Sequence, residues 1–166
     1  MKYKANENYS HGDKKKIGVL IVNLGTPDEP TTSAVRKYLA EFLSDPRIVE
    51  IPRVIWWLIL NLIVLNLRPQ KSKDLYKKIW TKEGSPLLVI SNNIVNKIKK
   101  STSISNREDI MVDLAMRYGN PSIDRALNNF QNNNIDKLLI LPMFPQYSAA
   151  TTASIFDKVT KIIGTW

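Results

Sequence analysis

Cysteine is absent from the 166 residues. Its absence excludes a disulfide framework, a thiolate-ligated zinc site and a cysteine-held iron–sulfur cluster within the chain. Histidine occurs once, at His11, in a polar N-terminal stretch. A single imidazole makes neither a multi-histidine metal site nor a Ser-His-Asp set, and His11 reads as a solvated tail residue. Glycine is scarce, and neither G-x-G-x-x-G nor G-x-x-x-x-G-K occurs, which disfavours a nucleotide cofactor. Long apolar runs are missing too. The longest, Val54 to Leu65 (VIWWLILNLIVL), falls short of the roughly 20 residues that span a bilayer. Met1 to Lys16 has no apolar segment and no arginine. It reads as a disordered basic tail rather than a targeting peptide, so a cytoplasmic location is expected.

What is present is ordinary for one soluble domain, apart from its charge: 24 basic residues stand against 15 acidic ones. The excess belongs to a chain-wide abundance of Lys, Asn and Ile. No arginine-rich helix and no basic run interleaved with aromatics occurs, so nucleic acid is not an expected partner.

Ile17 to Val22 (IGVLIV) is a continuous apolar run, as in a strand buried on both faces of a parallel sheet. Two similar runs follow, and the spacing predicts strands at about 17–23, 110–116 and 137–141. Helical spacing links them. Thr31, Thr32 or Ser33 caps a helix carrying Val35, Tyr38, Leu39, Phe42 and Leu43, which ends at Asp45-Pro46. A Trp56-Trp57 segment comes next, then a helix from about Gln70 to Trp80 bounded by Pro69 and Gly84. Another helix starts at Ser85-Pro86. Ser101 to Asp109 reads as a polar loop. Ser122 caps a helix with Ile123, Ala126, Leu127 and Phe130, and a last helix runs from Thr151 or Thr152 to about Ile163. Strands alternating with helices predict an α/β fold with a parallel sheet. Three strands make a thin sheet, and a further strand is expected after the last helix.

Ligands of open α/β sheets sit outside the carboxyl ends of the strands. Three segments fall there: Asn23-Leu24-Gly25-Thr26-Pro27, Arg117-Tyr118-Gly119-Asn120-Pro121 and Met143-Phe144-Pro145-Gln146-Tyr147-Ser148. These segments, with FLSDPRIVEIP, the LRP segment and its tyrosine eight residues on, EGSPL, MRYGNPS and LPMFPQYSAATTAS, resemble the N-terminal half of the ferrochelatases, in the family's order from about Lys16 onward. The resemblance implies a chelatase-like (Rossmann-like) parallel α/β domain over 17–166, with a second similar domain missing and a porphyrin cleft between the two. It implies insertion of Fe²⁺, as substrate, into protoporphyrin IX or coproporphyrin III in haem synthesis. The family's metal-site histidine and glutamate lie in the missing half, so neither catalytic nor metal-ligating residues are assigned here and the chain alone is expected to be inactive. Some members carry a cluster-ligating cysteine at the position of Ala149; an iron–sulfur cluster is unsupported.

By the same resemblance, Arg68, Tyr76 and Ser85 fall at porphyrin-contact positions, and Leu24 lies over the ring face. Each has a plain alternative: a helix-end cation, packing, an N-cap and core. Arg117 and Tyr118 either touch substrate or brace their loop. Tyr147 and Ser148 either touch substrate or organise the turn. Val54–Leu65 is either an internal helix or a lip that guides porphyrin and touches the cytoplasmic membrane face. A cobalt chelatase for another tetrapyrrole and a non-catalytic tetrapyrrole-binding module are the rival readings.

Overall fold

The computed structural model describes residues 15–166. His11 and all but the last two residues of the expected tail lie outside the described residues. Lys16 already belongs to the fold: its N–H donates to the Asp136 carboxylate at 2.8 Å and its carbonyl accepts from the Asp136 and Lys137 N–H groups.

Three parallel strands form one sheet: β1 (Ile17–Thr26), β2 (Ile110–Gly119) and β3 (Lys137–Pro142), in the order β2-β1-β3. The α/β class and the parallel pairing are as the apolar runs imply. One face of the sheet packs Leu20, Val22 and Ala115 against α6 (Ile123–Asn132) and α7 (Ser154–Ile163), through Ile123, Leu127, Phe130, Ile155 and Val159. The other face packs Ile21, Val112, Leu114 and Met116 against α4 (Pro86–Lys100), through Val95, Leu88 and Ile98. α1 (Thr32–Leu43) is capped by the Thr31 hydroxyl, which accepts from the Ala34 N–H at 3.3 Å.

Several boundaries depart from the sequence reading. β1 and β2 each run three residues further, so Arg117, Tyr118 and Gly119 are strand rather than turn. Two glycines permit this. Gly25 has φ +116°, and a Cβ there would stand 1.9 Å from the Tyr118 carbonyl oxygen; Gly119 has φ +81°, and a Cβ there would stand 2.8 Å from the Thr26 oxygen. The two strand ends approach closer than any side chain allows.

Pro69 does not bound a helix. α2 (Arg53–Ile59), a π-helical turn (Leu60–Val64) and α3 (Leu65–Ile79) form one continuous helical segment with Pro69 inside it. Pro69 sits one turn into α3, where its missing N–H would have reached back only to Leu65, the junction residue. The expected loop 101–109 contains a short helix, α5 (Thr102–Ser105). β3 is not buried on both faces: Leu138 and Ile140 join the α6–α7 core, whereas Leu139 and Leu141 are 55% and 44% exposed.

Candidate functional site

The three strands end on one rim, and most of the candidate residues sit on or above it. Leu24 lies near the end of β1, half-buried, its N–H held by the Asn23 side-chain oxygen at 2.8 Å. The Asn23 amide also donates to Ser91 Oγ of α4 at 3.2 Å, fixing the first half of that helix at the rim. Ser85 is six residues earlier, so it stands about 9 Å further out along the helix. It occupies the N-cap position, but its side chain makes no capping hydrogen bond, and the residue is 5% exposed.

Tyr76 and Arg68 come from α3, which packs along α1. The Tyr76 ring meets Tyr38 edge-on, with centroids 6.4 Å apart, and Trp80 at 6.3 Å. The Tyr38 hydroxyl donates to the Gly25 carbonyl at 3.3 Å, which ties this aromatic group to the end of β1. Burial, foremost, pushes both phenols up from their ordinary pKa, so both stay protonated donors at neutral pH. Arg68 lies two turns before Tyr76, exposed, with no hydrogen-bond or ion-pair partner among the described residues.

Arg117 and Tyr118 are held differently. Their side chains converge on Asp45, in the loop after α1. Arg117 Nη2 donates to Asp45 Oδ2 at 2.5 Å, the Tyr118 hydroxyl to the same oxygen at 2.8 Å, and Ser154 Oγ to it at 2.5 Å. Arg117 Nε also donates to the Ser154 carbonyl and hydroxyl at 2.9 and 2.7 Å, and its guanidinium lies 4.5 Å from the Tyr118 ring centroid. Asp45 Oδ1 accepts from the Arg47 N–H at 2.7 Å. Burial pushes the Asp45 carboxyl up, but the bonds from Ser154, the Arg47 N–H and Tyr118, with the Arg117 charge, outweigh it and hold the group below the usual carboxylate range. Burial carries the Tyr118 phenol up to about 12. Tyr118 is fully buried, so its polar tip is spent on this hub.

Tyr147 and Ser148 lie in the loop after β3. Tyr147 is 74% exposed; the Ser148 carbonyl accepts from the Thr151 and Ala153 N–H groups and opens a second π-helical turn (Ala149–Ala153). No hydrogen bond or ring contact among the described residues joins either side chain to Arg68, Tyr76 or Ser85. Two acids of the rim are engaged: Asp28 accepts from the Asn120 amide at 2.9 and 3.1 Å, and Glu41 from the Gly119 N–H at 2.9 Å, while Glu29 beside them stands exposed. Among the described residues no three His, Asp or Glu side chains cluster as a metal site would need.

The rim carries the half-buried Leu24 and the buried Tyr38 phenol, with Tyr76 beside Tyr38, a serine hydroxyl on α4 that does not cap its helix, and Arg68 exposed two turns along α3. It suits a flat apolar ligand with anionic arms. The ferrochelatase family model matches residues 16–166. The chain belongs to the ferrochelatase family. Its relatives include the ferrochelatases of Marinobacter nauticus, 52% identical over 161 residues, and of Alcanivorax borkumensis, 53% identical over 161 residues; each alignment covers 97% of this chain but only 44% and 47% of the relative. The ferrochelatase of Thioalkalivibrio sulfidiphilus is 48% identical over 166 residues, which is 100% of this chain and 45% of the relative. The chain spans about half the length of the curated relatives it matches.

Asp45 and Ser154 are the site residues that sequence reasoning missed. Asp45 read as a helix terminator and Ser154 as an unremarked helical residue. Their partners are 72 and 109 positions away, beyond any local signal.

Proposed function

We propose that this chain is the porphyrin-holding half of a ferrochelatase, which inserts Fe²⁺ into protoporphyrin IX or coproporphyrin III. The observation that carries the reading is Arg68, an exposed guanidinium without a hydrogen-bond or ion-pair partner among the described residues, on the same helix as Tyr76. A guanidinium offers a carboxylate two parallel hydrogen bonds, so Arg68 holds a propionate. Tyr76 and Ser85 donate to propionate oxygens, and the Leu24 side chain supports the ring face. Arg117 and Tyr118, bonded to Asp45, brace the rim rather than reach the ring. Tyr147 and Ser148 border the same cleft.

Porphyrin metallation needs a group that accepts the pyrrole protons near the path of the metal. Asp28 and Glu41 are bonded within the rim, Glu29 faces solvent beyond Pro27, and His11 precedes the first strand. The base and the iron-handling groups come from the part of the relatives that this chain does not match. No iron–sulfur ligand comes from this chain.

The exposed side chains of α2 and the π-turn, among them Val54, Trp57, Leu62 and Ile63, form the lip at which porphyrin enters. Arg53, Val54, Trp57 and Leu58 line a shallow hollow of about 350 Å³ there. No helix among the described residues is long and apolar enough to cross a membrane. The exposed apolar and aromatic side chains beside Arg53 support contact of this lip with the headgroup region of the cytoplasmic leaflet.

The test gives the purified chain porphyrin with Fe²⁺ or Zn²⁺ anaerobically. Fluorescence titration should show porphyrin binding, and absorbance should show no metallation above the uncatalysed rate. No binding would remove the porphyrin-holding role. Turnover that survives His11→Ala would place a base in this half. Preferred Co²⁺ insertion into a more carboxylated tetrapyrrole by the chain joined to the relatives' remaining half would favour the cobalt-chelatase reading.

A further inference from the structure

The helical segment that carries Arg68 is interrupted on both sides of it. Before it, at the π-turn, the Leu65 N–H reaches the Leu60 carbonyl, five residues back. The Asn61 carbonyl therefore loses the donor that an α-helix would give it. After it, Pro69 has no N–H to give. Both are places where a helix bends. The backbone ladder alone does not fix where Arg68 points.

Asn66 mends the first interruption with its side chain. Its Nδ2 donates to the Asn61 carbonyl at 3.1 Å and to the Leu62 carbonyl at 2.9 Å. Its Oδ1 accepts from Arg36 Nη2 of α1 at 2.8 Å. One side chain thus ties the π-turn to the neighbouring helix. A second tie lies one turn on, where the Thr32 hydroxyl donates to Gln70 Oε1 at 2.8 Å. Thr32 and Arg36 are one turn apart on α1, and they meet Gln70 and Asn66, one turn apart on α3, in reverse order. The two bonds are rungs between antiparallel helices. Asn66 and Gln70 stand two residues before and after Arg68, so they lie on the opposite side of α3 from it. With the rungs held at α1, the Arg68 guanidinium is turned outward.

The four rung residues are all exposed. Polar contacts at the surface add little to folding stability, so the rungs are weak as braces. Their effect is on direction. We propose that Asn66, clamped by Arg36, is a positioning residue for Arg68, holding the guanidinium where it meets a propionate of the porphyrin. The inference rests on the porphyrin-holding reading above and assigns Asn66 no contact with the ligand.

The experiment is a double-substitution cycle on the purified chain, with protoporphyrin IX as the probe and fluorescence titration as the readout. Asn66→Leu, close in size, removes both the amide donor and the acceptor. It should weaken binding by about threefold to tenfold, the worth of one hydrogen bond or slightly more. The melting temperature should fall by only a few degrees, as for a surface substitution. In Arg68→Ala the same change should alter binding by less than about twofold, because its effect passes through Arg68. Arg36→Met leaves Asn66 on its two carbonyls and should act in the same direction, with the same loss of effect in Arg68→Ala. It carries the test where Asn66→Leu does not fold. Equal weakening by Asn66→Leu with and without Arg68 would show a merely structural role and overturn the proposal. Unchanged affinity in either single variant would overturn it too. A loss of affinity in Arg68→Ala alone would overturn only the positioning role, whereas unchanged affinity in Arg68→Ala would overturn the porphyrin-holding reading with it.

Discussion

Arg117 and Asp45 meet at 2.5 Å, an ion pair between the end of β2 and the loop after α1 whose side chains are 13% and 4% exposed. Such a pair is costly to break from one side, because the partner is left charged and dry. Asp45→Ala should cost about 3–5 kcal/mol of folding stability, measured by chemical denaturation. Asp45→Asn, which keeps an acceptor for Ser154 and Tyr118, should cost less. A loss under about 1 kcal/mol for Asp45→Ala would mean that water compensates the site.

Acid should find the same hub. The folded-state pKa of Asp45 lies below its unfolded value of about 3.9, so its contribution is complete above that value and is lost as pH falls through the folded pKa. Below about pH 4, stability should therefore fall more steeply in the native protein than in Asp45→Asn. Denaturation midpoints between pH 6 and pH 2 would show it, and parallel curves would exclude Asp45 as the source.

Gly25 and Gly84 have nearly the same φ, +116° and +117°, in opposite surroundings. A Cβ on Gly25 would collide with the backbone of Tyr118, while a Cβ on Gly84 meets nothing within 4 Å. Gly84→Ala should cost about 1–3 kcal/mol, the strain of the dihedral alone. Gly25→Ala should cost more than about 4 kcal/mol or prevent folding, since here the backbone itself must move. Similar losses at the two positions would show that the strand ends can part.

Arg68→Ala should weaken porphyrin binding by roughly 1.5–3 kcal/mol, or about 10- to 150-fold, in fluorescence titration of the chain continued to the length of its relatives. Arg68→Lys should recover only part, because an ammonium lacks the two-pronged geometry. Unchanged affinity in Arg68→Ala would take this residue out of the site.

Trp57 and Leu62 are 62% and 66% exposed. If they enter a headgroup layer, Trp57→Ser combined with Leu62→Ser should reduce binding to anionic vesicles by about tenfold or more, since burial of one large apolar side chain is worth roughly 1.5–3 kcal/mol. Sedimentation with vesicles that leaves the variant as well bound as the parent would end the membrane reading.

β1 and the core of β2 were legible in the sequence because strands covered on both faces are apolar throughout, and Ile17 to Val22 shows little else. Their ends were not: Arg117 to Gly119 has the composition of a turn, and only the close approach at Gly25 keeps it in the sheet. β3 misled for the opposite reason. Leu139 and Leu141 look the same in sequence whether or not a helix covers them. Arg68 and Tyr76 were found through their motif, but how firmly Tyr76 joins the rim depends on Tyr38, which lies on a different helix and shares no local pattern with it. The Asp45 hub has no periodicity at all, because its four partners come from two distant elements, β2 and α7, and from its own loop.

The π-helical turn at Leu60–Val64 also bears on how such chains can change length. A π-turn holds one residue more than the α-helix it interrupts, and one residue turns a helix by about 100°. Deleting a single codon there would leave an unbroken α-helix that is, by propensity, as good or better. It would also swing Arg68 and Tyr76 a quarter-turn or more off the rim. A lineage carrying this site can therefore lengthen or shorten the open Trp80 to Gly84 connection, but a single gain or loss between Arg53 and Tyr76 would be selected against although the helix survives it.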